Sequence, residues 1–458
     1  MIFSVITIIH PSVLQSQPDT AWTKIYGTYG TDFQHTSDGS YIICGVSAYC
    51  PYLIKTDSNG DTVWTSQLDS SIVRFFTSVQ QTSDGGYILG GNRTPEEAMI
   101  IKMDTLGDTI WTKSYSKSEE VYSRRVIETS EGGYLILSYF GSYNRNVWLL
   151  KTDNNGDSLW SKIYGNSQYD YAATSVLQTS DGNYIFCGAM GDLTGFCRKG
   201  WIIKVDELGD TLWTRKYQNG NGIGTELWDV QETVDGNYLF SGIMYDYPRH
   251  PLLIKTDSKG HTLWIKNYDS GGVDYIFSHG ITFDDEIVAA GLRFSYNGDS
   301  TSLFLMKTNS SGDLEWTKTL PGIGPSELIR VRIISNEEFT VLCRNSNHNA
   351  WLLKFSENIT DVQARTEGNI TLSHNLQQNY PNPFNPSTTI EFDLSHTSYV
   401  TLKIFNVLGE EITTLVSKRL FPGTHSFTWD ASFQSSGLYF YKLETNEYCE
   451  IKKMLLIQ

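Results

Sequence analysis

Hydrophobic and polar residues alternate along most of this 458-residue chain in short runs, and the runs are separated by turn-forming Asp, Gly, Asn and Ser. In SVLQTSDGNYIFCG and the following GWIIKVDELGDTLWTRKY, four such runs fall at residues 175–179, 184–188, 201–206 and 211–217. Alternation with a period of two, rich in Val, Ile, Tyr, Phe, Trp and Thr, predicts β-strands. Ser-Asp-Gly-Asn joins the first two runs and Glu-Leu-Gly-Asp the last two, each offering a Gly for the positive φ of a hairpin turn. A helical period is nowhere sustained, so the expected fold is all-β.

This block repeats. A Trp followed by Thr-Lys or a close variant stands at Trp22, Trp64, Trp111, Trp160, Trp213, Trp264 and Trp316, at intervals of 42 to 53 residues. A four-stranded propeller blade uses about that much chain. Seven copies predict a seven-bladed β-propeller over residues 17–355. Residues 22–26 are a fourth strand lacking its first three, whereas residues 329–334, 339–343 and 351–355 are three strands lacking a fourth. Pairing the two ends in one blade closes the circle and hides exposed edges. An open solenoid is the alternative, disfavoured because neither end carries a polar capping unit.

The Gly-bearing turns barely change in length between copies, but the other two connections vary widely. Antiparallel strands alternate in direction, so constant turns fall on one rim and variable loops on the other. Loops displayed by a rigid scaffold usually carry recognition, which makes the variable rim the expected binding surface. The candidate ligand-binding residues there are Tyr139, Tyr143 and Arg145 in the third unit, Tyr169 and Tyr171 in the fourth, and Trp228, Tyr245, Tyr247 and Arg249 in the fifth. Flat rings stack on sugars, and together with Arg they anchor protein contacts.

The repeated Trp residues occupy the same strand position in every copy, whereas a single ligand site needs residues that break the symmetry. They are expected to pack between blades. The phrase KVDELGDTLWTRKY resembles the tryptophan-docking motif of quinoprotein dehydrogenase propellers over about a dozen residues per unit. The resemblance implies shared blade construction without dehydrogenase activity, because the quinone and calcium ligands of that family have no counterpart here. Asp57, Asn59 and Asp61 alternate like the start of a calcium loop. The middle position is Leu106, Leu208 or Lys259 in other copies, and turn formation accounts for all of them. The Asp, Gly and Trp spacing also departs from the sialidase Asp-box. No residue is assigned a catalytic or metal-binding role and no cofactor is implied. Cys44 with Cys50 and Cys187 with Cys197 bracket variable loops as disulfides or as free buried thiols, and both readings stay open.

A formal charge of −16 and a pI near 5.0 argue against nucleic acid or anionic lipid as partners. Residues 1–16 hold a short apolar run ending in small and polar residues, which reads as a signal peptide. No stretch reaches the roughly twenty apolar residues of a spanning helix. The repeats stop after residue 355, residues 356–375 read as a polar linker, and the alternating strands of residues 376–458 suit a small immunoglobulin-like sandwich.

That last segment resembles the type A C-terminal sorting domain of the type IX secretion system. Asn379, Tyr380, Pro381, Asn382, Pro383 and Phe384 open the match, Gly437 and Tyr439 continue it, and Lys452 and Lys453 fall in its final strand. The resemblance implies partnership with the type IX machinery and its processing peptidase, a route through the periplasm, and a secreted or outer-membrane-attached destination. For the cargo two functions are expected to compete: a propeller that binds a glycan or protein, and an extracellular propeller enzyme such as a polysaccharide lyase, a hydrolase or a quinoprotein-like oxidoreductase.

Overall fold

The computed structural model describes residues 18–357 and 375–457, except 48–49, 143, 167, 193–197, 219–223, 246–248, 269–272, 295–300, 324–327, 377, 380, 395–397, 408, 421–422 and 446–447. The predicted signal peptide and most of the predicted linker lie outside the described residues. Every described element is a strand, and no helix is long and apolar enough to cross a membrane. Two compact units result, Met1–Thr360 and Asp361–Gln458.

The first unit contains seven four-stranded antiparallel sheets. Blades 1 to 6 start at Tyr29–His35, Phe75–Gln81, Val121–Glu128, Asp170–Gln178, Thr225–Glu232 and Val273–Ile281, and each uses four consecutive strands in order. Blade 7 takes Arg330–Ile333, Glu338–Arg344 and Ala350–Ser356, and its outer strand is the N-terminal Asp19–Tyr26. Asp19 pairs with Ser356 and Tyr26 with Ala350, so the circle closes by the expected clasp. Glu357 belongs to it too, two residues beyond the predicted limit: its carboxylate meets Lys307 Nζ at 2.6 Å and accepts from Trp316 Nε1 at 3.0 Å. Central strands such as Tyr184–Gly191 are buried throughout because neighbouring blades cover both faces. Outer strands such as Thr211–Tyr217 keep an exposed stripe.

The repeated phrase is a docking device between blades. In the turn before the outer strand of blades 1 to 6 a Gly adopts positive φ, as Gly60 does at 77°. A Cβ on Gly60 would lie 2.9 Å from the Trp22 ring, and the Trp64, Trp111, Trp160, Trp213 and Trp264 rings cover the glycines of the following blades likewise. Glycine is therefore needed twice over, for conformation and for contact. All of these Trp residues but Trp264 also meet a Tyr of the next blade, as in Trp22 with Tyr41 at 5.6 Å and Trp111 with Tyr134 at 5.7 Å. Two residues on, Lys24 reaches Asp61 at 2.6 Å, and Tyr26 Oη donates to the Gly60 carbonyl at 2.7 Å. An exposed ion pair contributes about 0–1 kcal/mol, and an aromatic pair about 0.5–1.5 kcal/mol beyond the area it buries. Ring packing thus dominates each junction.

Asp57 Oδ1 accepts from the backbone N–H groups of Asn59 at 2.9 Å and Asp61 at 2.8 Å. The same pair of bonds recurs at Asp104, Asp153, Asp206 and Asp257, which is the turn function expected of these carboxylates. Cys44 lies opposite Leu53, Cys50 lies opposite Ser47, and both are free thiols, which rules out the first local disulfide. Cys187 is also free, and Cys197 lies outside the described residues.

The other constant turn buries a lysine against an aspartate. Lys102 is only 6% exposed and meets Asp84 at 2.9 Å; Lys204 with Asp181 and Lys255 with Asp235 repeat the arrangement. Partial burial would raise these carboxyl pKa values. The Thr82 hydroxyl, the Lys102 ammonium and the Gly86 N–H outweigh that at Asp84, and equivalent donors act at Asp181 and Asp235, so all three fall to about 2. Unfolded aspartates titrate near ~3.9. The stabilisation is therefore complete above about pH 4 and is lost as pH falls toward 2. Thermal midpoints measured from pH 7 to 2 should stay level to about pH 4 and then drop, and Lys102→Met should flatten the drop.

The second unit packs a sheet ordered Asn375–Leu376, Ser387–Leu394, Gly423–Asp430 against one ordered Glu411–Leu420, Ser398–Phe405, Gly437–Glu444, Cys449–Leu456. Ile390, Phe392 and Trp429 from the first sheet meet Leu402, Tyr441 and Met454 from the second in one core.

Candidate functional site

Each inner strand of blades 1 to 6 carries a β-bulge near its start, where the register slips by one residue. The extra residue is Thr31, Thr77, Arg124, Thr174, Trp228 or Phe277. At the threonines the hydroxyl occupies a carbonyl of the partner strand: Thr31 donates to Cys44 at 3.2 Å, Thr77 to Gly90 at 3.2 Å and Thr174 to Cys187 at 3.1 Å. The bulge brings the backbones so close that a Cβ at Gly188 would lie 1.9 Å from the Ala172 oxygen.

The next residue on each strand, Asp32, Ser78, Arg125, Ser175, Asp229, Ser278 or Arg330, joins neighbouring blades around the axis. Arg125 donates to Ser175 Oγ at 3.2 Å, and Ser175 and Ser278 donate to the two oxygens of Asp229 at 2.8 and 3.0 Å. The Val331 N–H reaches Ser278 Oγ at 3.3 Å, Arg332 reaches Asp32 at 3.2 Å, Asp32 accepts from Val79 N–H at 3.2 Å, and Ser78 accepts from Val126 N–H at 3.0 Å. These bonds span all seven junctions. Burial would raise the Asp229 pKa, yet its surroundings hold it below the ordinary range. At neutral pH the stabilising charges are Arg125, Arg332 and Arg330, because burial keeps the nearby His279 imidazole neutral.

On the variable-loop side of this girdle lies a cavity of about 650 Å³, lined by residues of six blades. Thr31, Thr77, Arg124, Thr174 and Trp228 enter it from the bulges, Tyr29, Phe75 and Phe76 form an aromatic wall, and Arg330 and Arg344 come from blade 7. Arg344 lies over the Tyr29 ring at 4.9 Å. Burial lowers the pKa of Arg330 and Arg344, since their guanidiniums have given up much of their hydration.

Of the described residues among those singled out from the sequence, Trp228 alone lines this cavity. The other described ones are spread over successive blade junctions on the same rim. Arg145 binds Asp170 through Nε at 2.8 Å and lies over Tyr139 at 5.2 Å, so both serve the junction of blades 3 and 4. Tyr171 is buried against Trp201 at 4.7 Å, and Tyr169 touches its edge. Arg249 lies over Tyr245 at 5.1 Å and Tyr275 at 5.7 Å, while Tyr245 donates to Glu226, the bidentate partner of Arg198. Tyr143 and Tyr247 lie outside the described residues. Several of these residues, expected in loops, stand in strands: Asp170–Gln178 includes Tyr171, Thr225–Glu232 includes Trp228, and the bulge hides the alternation that marks a strand. Arg124, Arg330 and Arg344 were missed. The missed signal was the Thr column of the bulges, which Arg124, Trp228 and Phe277 interrupt.

In the second unit the Asn379–Phe384 segment is fastened to the final strand. Asn379 is 2% exposed; its N–H donates to Tyr441 Oη at 2.9 Å, and its side-chain amide donates to Thr388 Oγ1 at 2.8 Å and the Pro381 carbonyl at 3.1 Å. Asn382 Oδ1 accepts from Leu455 N–H at 2.9 Å, and Phe384 is buried beside Trp429 and bonded to Leu455 at 3.0 Å. Pro381 and Pro383 are exposed, and Tyr380 lies outside the described residues. Gly437 opens the strand carrying Tyr439, whose ring packs on Trp429 at 5.2 Å. Lys452 meets Glu450 at 3.6 Å, and the Lys453 carbonyl accepts from Gln378 at 2.8 Å. The motif is thus a packed corner of the sandwich that exposes its prolines.

Residues 378–458 match the family of secretion system C-terminal sorting domains, which assigns the protein to export through the type IX secretion system to the cell surface or the extracellular space. No curated protein matches the chain at a significant level. Among solved structures, the chain is similar to PorZ, a bacterial surface component of the type IX secretion system of Porphyromonas gingivalis, at 10% identity and a TM-score of 0.44, covering 94% of this chain and 59% of PorZ. It is also similar to Raptor of Chaetomium thermophilum, at 10% identity and a TM-score of 0.49 over 74% of this chain and 29% of that one. A Lactobacillus plantarum protein matches at 12% identity with a TM-score of 0.49, over 65% of this chain and 87% of its own. The chain therefore spans little more than half the length of PorZ and under a third of Raptor.

Proposed function

We propose that this exported propeller is a binding protein that takes part of a glycan or protein ligand into its axial cavity. The observation that carries the reading is the cavity of about 650 Å³ at the rim where connections differ, lined from six blades. That volume lies within the range of about 300–1,000 Å³ usual for ligand pockets. Guanidinium, hydroxyl and aromatic groups line it and suit holding a ligand. The nearest carboxylates, Asp32 and Asp229, are engaged by arginines of the girdle. The clusters around Arg145, Glu226 and Arg249 join neighbouring blades on the same rim, outside the cavity lining.

Thr77→Trp should fill the cavity without disturbing the outer strands. The purified full-length protein, tested on arrays of glycans and peptides, is expected to lose at least tenfold of its strongest signal with this substitution and to retain it with Tyr245→Phe. Undiminished signal from the filled variant would remove the cavity from consideration.

A further inference from the structure

Resting on that reading, we infer that the ligand group entering the axial cavity is an oxyanion borne on an aromatic or other flat apolar body. Three guanidiniums, those of Arg124, Arg330 and Arg344, line the cavity, and no carboxylate is among its described lining residues. Among the described residues, only Arg330 of the three has an acidic partner, Asp32 at 3.7 Å, which it shares with Arg332. Among the described residues, Arg344 has an aromatic face beneath it and no ion pair, and Arg124 has neither a hydrogen bond nor an ion pair. This local excess of positive charge stands out in a chain of formal charge −16.

A second observation is independent of charge. The Nε atom of Arg344 and the Nε1 atom of Trp228 are buried and have no acceptor among the described residues. Both residues line the same cavity. Buried donors are nearly always paired in native proteins, and leaving one unpaired costs about 1–3 kcal/mol. An oxyanion in the cavity gives the guanidiniums charge-assisted partners and is an acceptor of the kind these two donors lack. The rings of Tyr29, Phe75, Phe76 and Trp228 supply apolar walls for the body that carries it.

Benzoate, phenyl phosphate and phenyl sulfate serve as probes, with benzamide as the neutral comparator, each titrated calorimetrically into the full-length protein. At least one anion should bind tenfold or more tightly than benzamide, and which one does so separates a carboxylate ligand from a phosphate or sulfate. Arg344→Gln and Arg124→Gln should each weaken that anion about tenfold and leave benzamide unchanged. Trp228→Phe keeps a ring, removes the donor, and should weaken the anion several-fold; thermal midpoints report whether each variant is folded. Equal binding of anions and benzamide overturns the oxyanion assignment and leaves the cavity reading intact. Failure of all four probes also overturns it, and array signal surviving in Thr77→Trp then brings down the cavity reading as well.

Discussion

Deleting residues 18–26 is expected to lower the thermal midpoint of the purified protein by roughly 10 °C or more, at about 2–4 °C per kcal/mol for a large domain, and to broaden the transition. The strand Asp19–Tyr26 does two jobs. It pairs along the whole of Ala350–Ser356, so its loss exposes a long edge of backbone donors and acceptors. It also carries Trp22 and Tyr26, which dock blade 7 onto blade 1 through Gly60 and Tyr41. Removing two such aromatics costs on the order of 2–4 kcal/mol each. The free Lys318 ammonium would lose its bond to the Pro18 carbonyl as well. A synthetic peptide of residues 18–27 added in trans should restore much of the midpoint, because the ring needs the strand and not its covalent link. A midpoint within 2 °C of the parent, or no response to the peptide, contradicts the clasp.

Removal of residues 376–458 is expected to leave the protein in the periplasm, with surface and medium fractions falling at least tenfold in a host that has a type IX system. The family match covers this unit and nothing else in the chain, so the export signal and the ring are separable in sequence. Each unit has its own core, which allows the shortened chain to fold. Immunoblots of fractionated cells measure the outcome, and thermal denaturation of the periplasmic material confirms that the ring is intact. Undiminished display of the shortened protein would refute the assignment.

Much of this architecture was legible because the Trp-Thr-Lys phrase encodes contacts between blades rather than within them. Trp111, Lys113 and Tyr115 each meet the turn of blade 4's predecessor in one register, at Gly156 and Asp157, so every copy must keep the same spacing. The ends were legible for a similar reason: unpaired strands at residues 22–26 and 351–355 require each other. The cavity was not. Its residues enter at bulges, where one inserted residue breaks the period-two pattern and makes half a strand look like loop. Tyr171 illustrates the cost: read as a rim aromatic, it is a buried contact of Trp201. Arg344 stands at the end of an ordinary second strand, and only the closure of the ring brings it near Arg124, more than two hundred residues away in sequence.

The clasp also gives the ring a polarity. Third strands end at the constant turns, so Ser356 and Glu357 emerge on that rim, beside Asp19 and opposite the cavity mouth. The strand that closes the ring and the point where the chain leaves it therefore share the rim away from the cavity.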